Sequence, residues 1–376
     1  MSKLQTGQGI DRRVPWIHQL LTLNEARGTG TPAARERAVQ QAGRKLGDAL
    51  RSGPKVVSLR TLPTSAAPYP VRFAFNGTVR AVAPGAMLSL QNRSLLVQVQ
   101  TTEGVKNVLF NPTDGPANAA TPFYQRVSDE VPELIRRFMM PNPNRCAQQL
   151  AALGLSCADI DVIAFDHFHT QDLRPLLGTA QLSARFPNAV LLAPRAEWED
   201  WDDLSMLQRA WFVPDGKRDV PGSRVVLTQG DLTLGDGLLL VSTPGHTRGN
   251  QTLIVHTERG VVGSSENGTC ADNWAPEASR IAGVKRAARL LDLAVVLNSN
   301  TPELMAEQYV SMLLERAIVD RVPENPEFYQ MFPSSEVTRS WLAPLLVPSH
   351  SFGSLQSGQV QRSSQPGALQ SAEVQA

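Results

Sequence analysis

The chain has 376 residues, a formal net charge of +1 and 19% charged residues, so its length is ample for a large core. Because there is no basic excess, we expect no nucleic-acid partner. The three cysteines, Cys146, Cys157 and Cys270, form no C-x-x-C pair, which favours a reducing compartment. No run approaches the roughly 18 apolar residues of a membrane helix, and the N-terminus lacks the apolar core of a secretion signal. We therefore expect a soluble, cytoplasmic protein with no membrane partner.

Residues 1–53 are predicted to form an N-terminal helical extension. Thr31 and Pro32 occupy the positions of a helix cap and a first helical residue, and residues 33–50 are strong helix formers. From residue 56 to residue 110 the pattern changes to strands separated by Gly, Pro and Asn turns. These strands are expected to open the first β-sheet of the main domain, residues 54–320.

A pair of histidines follows the next predicted strand. Residues 161–165 form a short β-branched and apolar run, and His167 and His169 come directly after it. On an extended chain, residues two apart point the same way, whereas on a helix they would lie about 200° apart. Such a pair at a strand end is half of a metal site. The alternative is a surface loop whose histidines hydrogen-bond to backbone.

Large aromatic residues cluster downstream of this pair. Trp198, Trp201, Trp211 and Phe212 lie close together, with acidic residues between them. They would either line a substrate cleft or form the hydrophobic side of a helix and its loop. The pattern alone is compatible with both interpretations.

A third histidine belongs to a second turn-bounded motif. Residues 238–241 are predicted to form a strand, and a Pro-Gly turn then leads to His246. Beyond it, residues 302–320 are predicted to form a long helix, followed by a C-terminal extension, residues 321–350. Residues 351–376 are rich in Gly, Ser and Gln and are predicted to be a disordered tail. The helical additions at the two ends are compatible with a homodimer.

Together these motifs resemble the metallo-β-lactamase superfamily. Its usual signature is His-x-His-x-Asp-His, then a Thr-Pro-Gly-His-Thr-type turn, a Gly-Asp after a strand and a late Ser-His. Residues 243–247 match that turn unaltered, and residues 153–161 resemble the Leu-Gly turn and Asp-Ile-Asp segment before the motif strand. The resemblance covers roughly residues 90 to 305. It implies an α/β fold, a four-layer αββα sandwich of two facing mixed sheets flanked by helices.

The chain departs from the family pattern at four positions. Gln171 stands where the family has Asp, and Asp172 stands where it has His. Glu266 aligns with the bridging carboxylate, and Asn300 aligns with the last His. The first metal position therefore keeps its three imidazoles, whereas the second loses its Asp and its His. This implies one strongly held ion, with a weaker second ion through Asp172 and Glu266 as the alternative.

The resemblance also implies roles for the site residues. His167, His169 and His246 would hold a zinc ion, with Fe²⁺ or Mn²⁺ as alternatives, and Glu266 would complete the ligand set or orient the attacking water. Asp172 would hold the nucleophile or pass its proton to the leaving group. A metal-bound hydroxide formed in this way hydrolyses small esters, lactones or amides. The expected enzyme is therefore a metal-dependent hydrolase acting on a small-molecule substrate.

Two other functions stay open at the level of sequence. Histidines with one carboxylate also suit iron(II), and some relatives of this fold are iron-dependent oxygenases. A binding protein that has lost catalysis is the second alternative, because four family positions are altered. Carboxylates at Asp172 and Glu266 argue against simple decay, since drift has no reason to leave acidic groups at two ligand positions.

Overall fold

The computed structural model describes residues 4–79, 85–113, 115–141 and 146–362. Its strands are β1 (Thr6–Gly9), β2 (His18–Leu20), β3 (Ser58–Pro70), β4 (Met87–Thr101), β5 (Gly104–Phe110), β6 (Val162–Ala164), β7 (Val190–Pro194), β8 (Val225–Thr228), β9 (Asp231–Thr233), β10 (Leu238–Ser242), β11 (Gln251–Thr257), β12 (Gly260–Ser265), β13 (Arg321–Val322), β14 (Asn325–Tyr329), β15 (Met331–Pro333), β16 (Ser335–Thr338) and β17 (Gln356–Gly358). Its helices are α1 (Asn24–Arg27), α2 (Pro32–Arg51), α3 (Val71–Ala74), α4 (Gly115–Ala119), α5 (Pro122–Glu130), α6 (Glu133–Met139), α7 (Cys146–Ala152), α8 (Arg174–Leu177), α9 (Arg195–Asp200), α10 (Ala271–Trp274), α11 (Val284–Leu291) and α12 (Met305–Ile318). Among the described residues, no helix has both the length and the apolar character to cross a membrane.

Two large sheets of mixed strand direction form the centre of the molecule. One has the strand order β1-β2-β9-β10-β11-β12-β15, and the other has the order β17-β3-β4-β5-β6-β7-β8, with β16 paired to β4. The β5, β6, β7 and β8 strands run parallel to one another, whereas β4 is antiparallel to both β3 and β5. Parallel strands are buried on both faces, which explains why β6 is apolar throughout.

Side-chain alternation along the strands shows how the layers stack. On β10, Leu238 and Leu240 join the core that contains residues of both sheets, whereas Leu239 and Val241 pack with residues of α2 and α12. On β6, Ile163 faces a third core that includes residues of α7 and α8. Since successive strand residues point to opposite faces, each sheet has one face against the other sheet and one against helices. The predicted αββα sandwich is confirmed.

The N-terminal segment is only partly the helical extension that the sequence predicted. The α2 helix begins at Pro32, as expected. However, β1 and β2 are strands, and β2 pairs with β9 so that both extend the first sheet. The apolar side chains of Trp16 and Ile17 enter the core between the sheets. Their burial holds this segment extended against the sheet edge.

The C-terminal boundaries also need correction. The β15 strand pairs with β12 and β16 pairs with β4, so residues predicted to lie in an extension after residue 320 belong to both sheets. The predicted disordered tail is wrong for residues 351–362, because β17 pairs with β3 and Arg60 donates hydrogen bonds to the carbonyls of Ser357 and Gly358. Strand pairing uses backbone groups and needs few apolar side chains, which is why composition failed to predict it. Residues 363–376 lie outside the described residues.

Candidate metal centre

The two histidine motifs meet because β11 connects their loops. The loop after β6 carries His167 and His169, and the turn after β10 carries His246. Gln251, the first residue of β11, donates its backbone N–H to the carbonyl of Asp166 at 2.9 Å. Its side-chain amide donates to the carbonyl of Phe165 at 2.8 Å. Since β10 and β11 are paired, these bonds place the β6 loop beside the turn after β10.

The three histidines form one buried cluster. Their candidate ligand atoms all lie within 4.8 Å of one another, and Nδ1 of His169 is 3.2 Å from Nε2 of His246. The exposed fractions are 8% for His167, 3% for His169 and 2% for His246. The predicted convergence of these three rings is therefore present, across 77 residues of sequence.

Asp166 fixes the orientation of the first histidine. Its Oδ1 lies 2.7 Å from Nδ1 of His167, and its Oδ2 accepts a hydrogen bond from the Asn111 side chain at 2.9 Å. Burial alone would raise the pKa of this carboxyl, but the charge and hydrogen bond of His167 hold the pKa below its usual value. An ionised carboxylate only accepts hydrogen bonds. The proton on Nδ1 of His167 therefore points to Asp166, and Nε2 is the ring nitrogen that this contact leaves available.

The electrostatics of the cluster favour a cation over protons. Burial first, and the neighbouring His167 second, hold the pKa values of His169 and His246 well below the ordinary value. Nε2 of His169 lies 2.6 Å from Oε1 of Gln208, so its Nδ1 is the atom that faces His246. At 3.2 Å these two nitrogens can share one proton or be joined by one cation. The cluster therefore fits a metal ion held by neutral imidazoles.

Glu266 and Asn300 line the same cavity as the histidines. Other residues of the wall include Tyr124 and Trp211. Glu266 is buried, and its Oε2 has no hydrogen-bond partner among the described residues. Burial first, and the charge of Asp166 second, raise the pKa of Glu266 well above its usual value. Glu266 does not belong to the 4.8 Å group that the three histidines form.

The structure does not bring Asp172 to the cluster. Thr170 adopts a left-handed conformation with φ 61°, after which the side chain of Gln171 returns to the His169 carbonyl at 3.1 Å. Asp172 instead accepts two hydrogen bonds of 2.8 Å from the Arg174 guanidinium. It is absent from both the cavity wall and the histidine group. The predicted role of Asp172 as ligand and acid–base group therefore needs correction, because its carboxylate already has a cationic partner.

The aromatic cluster divides between the two interpretations left open by the sequence. Trp211 lines the cavity and lies against Phe123, with 4.5 Å between their ring centroids. Trp201 and Phe212 belong to the core that lies between β6 and the helices α7 and α8. Trp198 is partly buried against the same core. One of the four therefore lines a cleft, and three are core residues.

Glu197 is an important contact that sequence reasoning missed. Its carboxylate accepts hydrogen bonds from the N–H of Phe168 at 2.9 Å and from the N–H of Gly249 at 3.0 Å, so it connects the two histidine loops. A Cβ on Gly249 would lie 2.4 Å from the Glu197 Cβ, so only glycine allows this approach. Nothing distinguished Glu197 from the acidic residues around it. Asp166, by contrast, stands directly before His167 and could have been recognised.

Comparison with known proteins finds two curated relatives over part of the chain, whereas no family model matches. An N-acyl homoserine lactonase of Rhizobium radiobacter is 32% identical over 120 residues, which are 29% of this chain and 41% of that protein. The corresponding lactonase of Azorhizobium caulinodans is 29% identical over 127 residues, 31% of this chain and 44% of that protein. The chain thus spans less than half the length of either lactonase.

Solved structures with a similar fold include three hydrolases. A probable metal-dependent hydrolase from Staphylococcus aureus has a TM-score of 0.48 at 15% identity, covering 68% of this chain and 82% of that one. A dizinc quorum-quenching lactonase has a TM-score of 0.47 at 13% identity, covering 75% and 88%. A hydrolase of the β-lactamase superfamily has a TM-score of 0.46 at 10% identity, covering 82% and 98%.

The fold and the histidine motif agree with the resemblance that the sequence shows. The two facing sheets, the unaltered turn at residues 243–247 and the three converging histidines agree with the local match to the lactonases. In its two facing sheets and its histidine motif the chain is similar to the metallo-β-lactamase superfamily, and the lactonases match it over about 30% of its length.

Proposed function

We propose that the protein is a metal-dependent hydrolase that opens a lactone or a related small ester. The observation that carries this proposal is the convergence of three buried imidazoles, His167, His169 and His246, in the wall of one cavity. The local identity to two N-acyl homoserine lactonases supports a lactone as the substrate class. Zinc is the proposed metal, because three neutral histidines with an open position form a catalytic zinc site.

Each of the residues that line the cavity has a separate role in the proposed hydrolysis. Zinc held by His167, His169 and His246 would lower the pKa of water toward neutrality and would polarise a carbonyl. Oε2 of Glu266, which has no partner among the described residues, orients the attacking water and accepts its proton. The Asn300 amide, which lines the same cavity, binds a polar group of the substrate. Trp211 contributes apolar surface to the same wall.

We further propose that the site holds one ion. Gln171, where relatives have an acidic ligand, accepts a hydrogen bond from Thr113 at 2.9 Å and donates one to the His169 carbonyl at 3.1 Å. Both functional ends of this amide are therefore occupied by protein contacts. Asn300 cannot ionise and is a poor substitute for an imidazole. A second strongly held ion would lack its ligands.

The test combines metal analysis with activity. Protein purified without added metal would be stripped with a chelator, reloaded with zinc, manganese or iron(II), and assayed on homoserine lactones of different acyl lengths and on simple esters. We expect about one ion per chain and lactone hydrolysis that depends on the metal. A stripped protein that hydrolyses lactones at the full rate, or a chain that binds no ion, would overturn the proposal. Metal-dependent oxygen uptake without hydrolysis would identify the iron oxygenase instead.

A further inference from the structure

We propose that Gln208 and Glu303 form a positioning pair that sets the tautomer and ring orientation of His169 from outside the cavity. The inference rests on the proposed metal site, since it concerns the ligand nitrogen that His169 presents. Gln208 lies 39 residues after His169, and Glu303 lies 95 residues after Gln208. Neither residue lines the cavity.

Glu303 determines which way the Gln208 amide faces. Nε2 of Gln208 lies 2.5 Å from Oε1 of Glu303, and a carboxylate can only accept a hydrogen bond. The amide NH₂ must therefore face Glu303, which leaves Oε1 of Gln208 toward His169 at 2.6 Å. Because that oxygen accepts, the proton of His169 lies on Nε2. The lone pair then lies on Nδ1, the atom 3.2 Å from Nε2 of His246.

The same loop is bonded to the motif loop at a second point. The backbone carbonyl of Trp211 accepts the N–H of Thr170 at 2.8 Å, and the N–H of Trp211 donates to the Gln208 carbonyl at 3.0 Å. The loop that places Trp211 in the cavity wall therefore also places the Gln208 amide on His169. A displacement of this loop would alter both the substrate wall and a metal ligand.

The pair differs from the group that orients the first histidine. Asp166 orients His167 from a buried position with 2% exposure, and it is the next residue in sequence. Gln208 is only partly buried and Glu303 is exposed, so His169 is oriented by contacts between surface segments. Groups that hold the far nitrogen of a metal-bound histidine typically change metal affinity by about 10- to 100-fold when removed.

The experiment removes the pair and then restores it with the acceptor and donor exchanged. Gln208→Ala would be compared with the swapped pair Gln208→Glu with Glu303→Gln, in which the carboxylate accepts from His169 and the amide at position 303 donates to it. Leu207→Ala is the control, because Leu207 is a half-exposed neighbour on the same loop. Two quantities would be measured: zinc affinity, and the ¹⁵N signals of the histidine rings in metal-free protein, which report the tautomer.

We expect Gln208→Ala to lower zinc affinity by about 10- to 100-fold and to shift the His169 signals toward mixed tautomers. The swapped pair should restore most of the affinity and the Nε2–H tautomer, and Leu207→Ala should change neither. Wild-type affinity and unchanged ring signals in Gln208→Ala would overturn the inference. If the wild type binds no zinc while Gln208→Ala still shifts the His169 signals, the positioning role stands and the proposed metal site fails.

Discussion

The segment after β6 has two parts with different contacts: the histidine pair, and the Gln171–Asp172 pair that follows it. His167 and His169 present ring nitrogens to a shared point, because their other nitrogens are held by Asp166 and Gln208. The next ligand positions of the family pattern, Gln171 and Asp172, are engaged elsewhere. The amide of Gln171 stabilises the loop by a hydrogen bond to the His169 carbonyl. Asp172 forms an ion pair with Arg174 at 2.8 Å.

This contrast shows what decides whether a polar residue is available for chemistry. Gln171 is as deeply buried as the histidines, with 5% exposure, so depth does not separate the two halves. The partners do. A side chain whose oxygens already accept hydrogen bonds from protein offers fewer lone pairs to a metal or substrate, whereas each histidine of the pair keeps one nitrogen directed at the cluster.

The largest effect is expected from loss of a histidine. His169→Ala removes one of three converging imidazoles and should lower metal affinity by more than the roughly 100-fold typical of outer partners. Metal content after dialysis, with a zinc titration, would measure this. His18→Ala is the control, because His18 lies in β2, between β1 and β9, and not in the cluster. Equal metal content in His169→Ala and the control would show that the cluster does not hold the ion.

A smaller effect is expected at the contact that joins the two histidine loops. Glu197→Gln replaces one carboxylate oxygen with NH₂, so the N–H of Phe168 or Gly249 loses its acceptor in a buried place. Leaving a buried donor unsatisfied costs about 1–3 kcal/mol. Denaturant unfolding would measure the loss. Glu199→Gln on the same helix is the control, because Glu199 is 56% exposed and should change stability by no more than about 0.5 kcal/mol. Equal stability of the two variants would refute the role of Glu197.

Local patterns predicted the ligands, whereas the supporting contacts lay beyond them. The β6 strand with its two histidines, and the Pro-Gly turn before His246, are short motifs whose geometry follows from a few neighbouring residues. Glu197 and Gln208 act through contacts 29 to 52 residues away, which periodicity does not encode. The same holds for β17, whose pairing with β3 joins segments almost 300 residues apart.

The bracing role of Gln171 can be tested without changing its size. Gln171→Glu keeps an acceptor for Thr113 but places a carboxylate oxygen against the His169 carbonyl, where the amide now donates. We expect a loss of about 1–3 kcal/mol in unfolding free energy and no second ion by metal analysis. Gln181→Glu, at an exposed loop position, is the control. Two ions per chain in Gln171→Glu would mean that this position is a vacant ligand site and not a brace.

The smallest effect is expected at Asp172, the residue on which sequence and structure disagree most. Asp172→Asn removes the charge that faces Arg174 but keeps an oxygen that can accept a hydrogen bond. Both side chains are partly exposed, at 18% and 32%, and such pairs contribute about 0–1 kcal/mol. Metal content and the rate of lactone hydrolysis should therefore match the wild type, because the carboxylate does not line the cavity. A loss of hydrolysis at unchanged stability and metal content would return Asp172 to the acid–base role that its sequence position suggested. It would also require the ion pair with Arg174 to open during turnover.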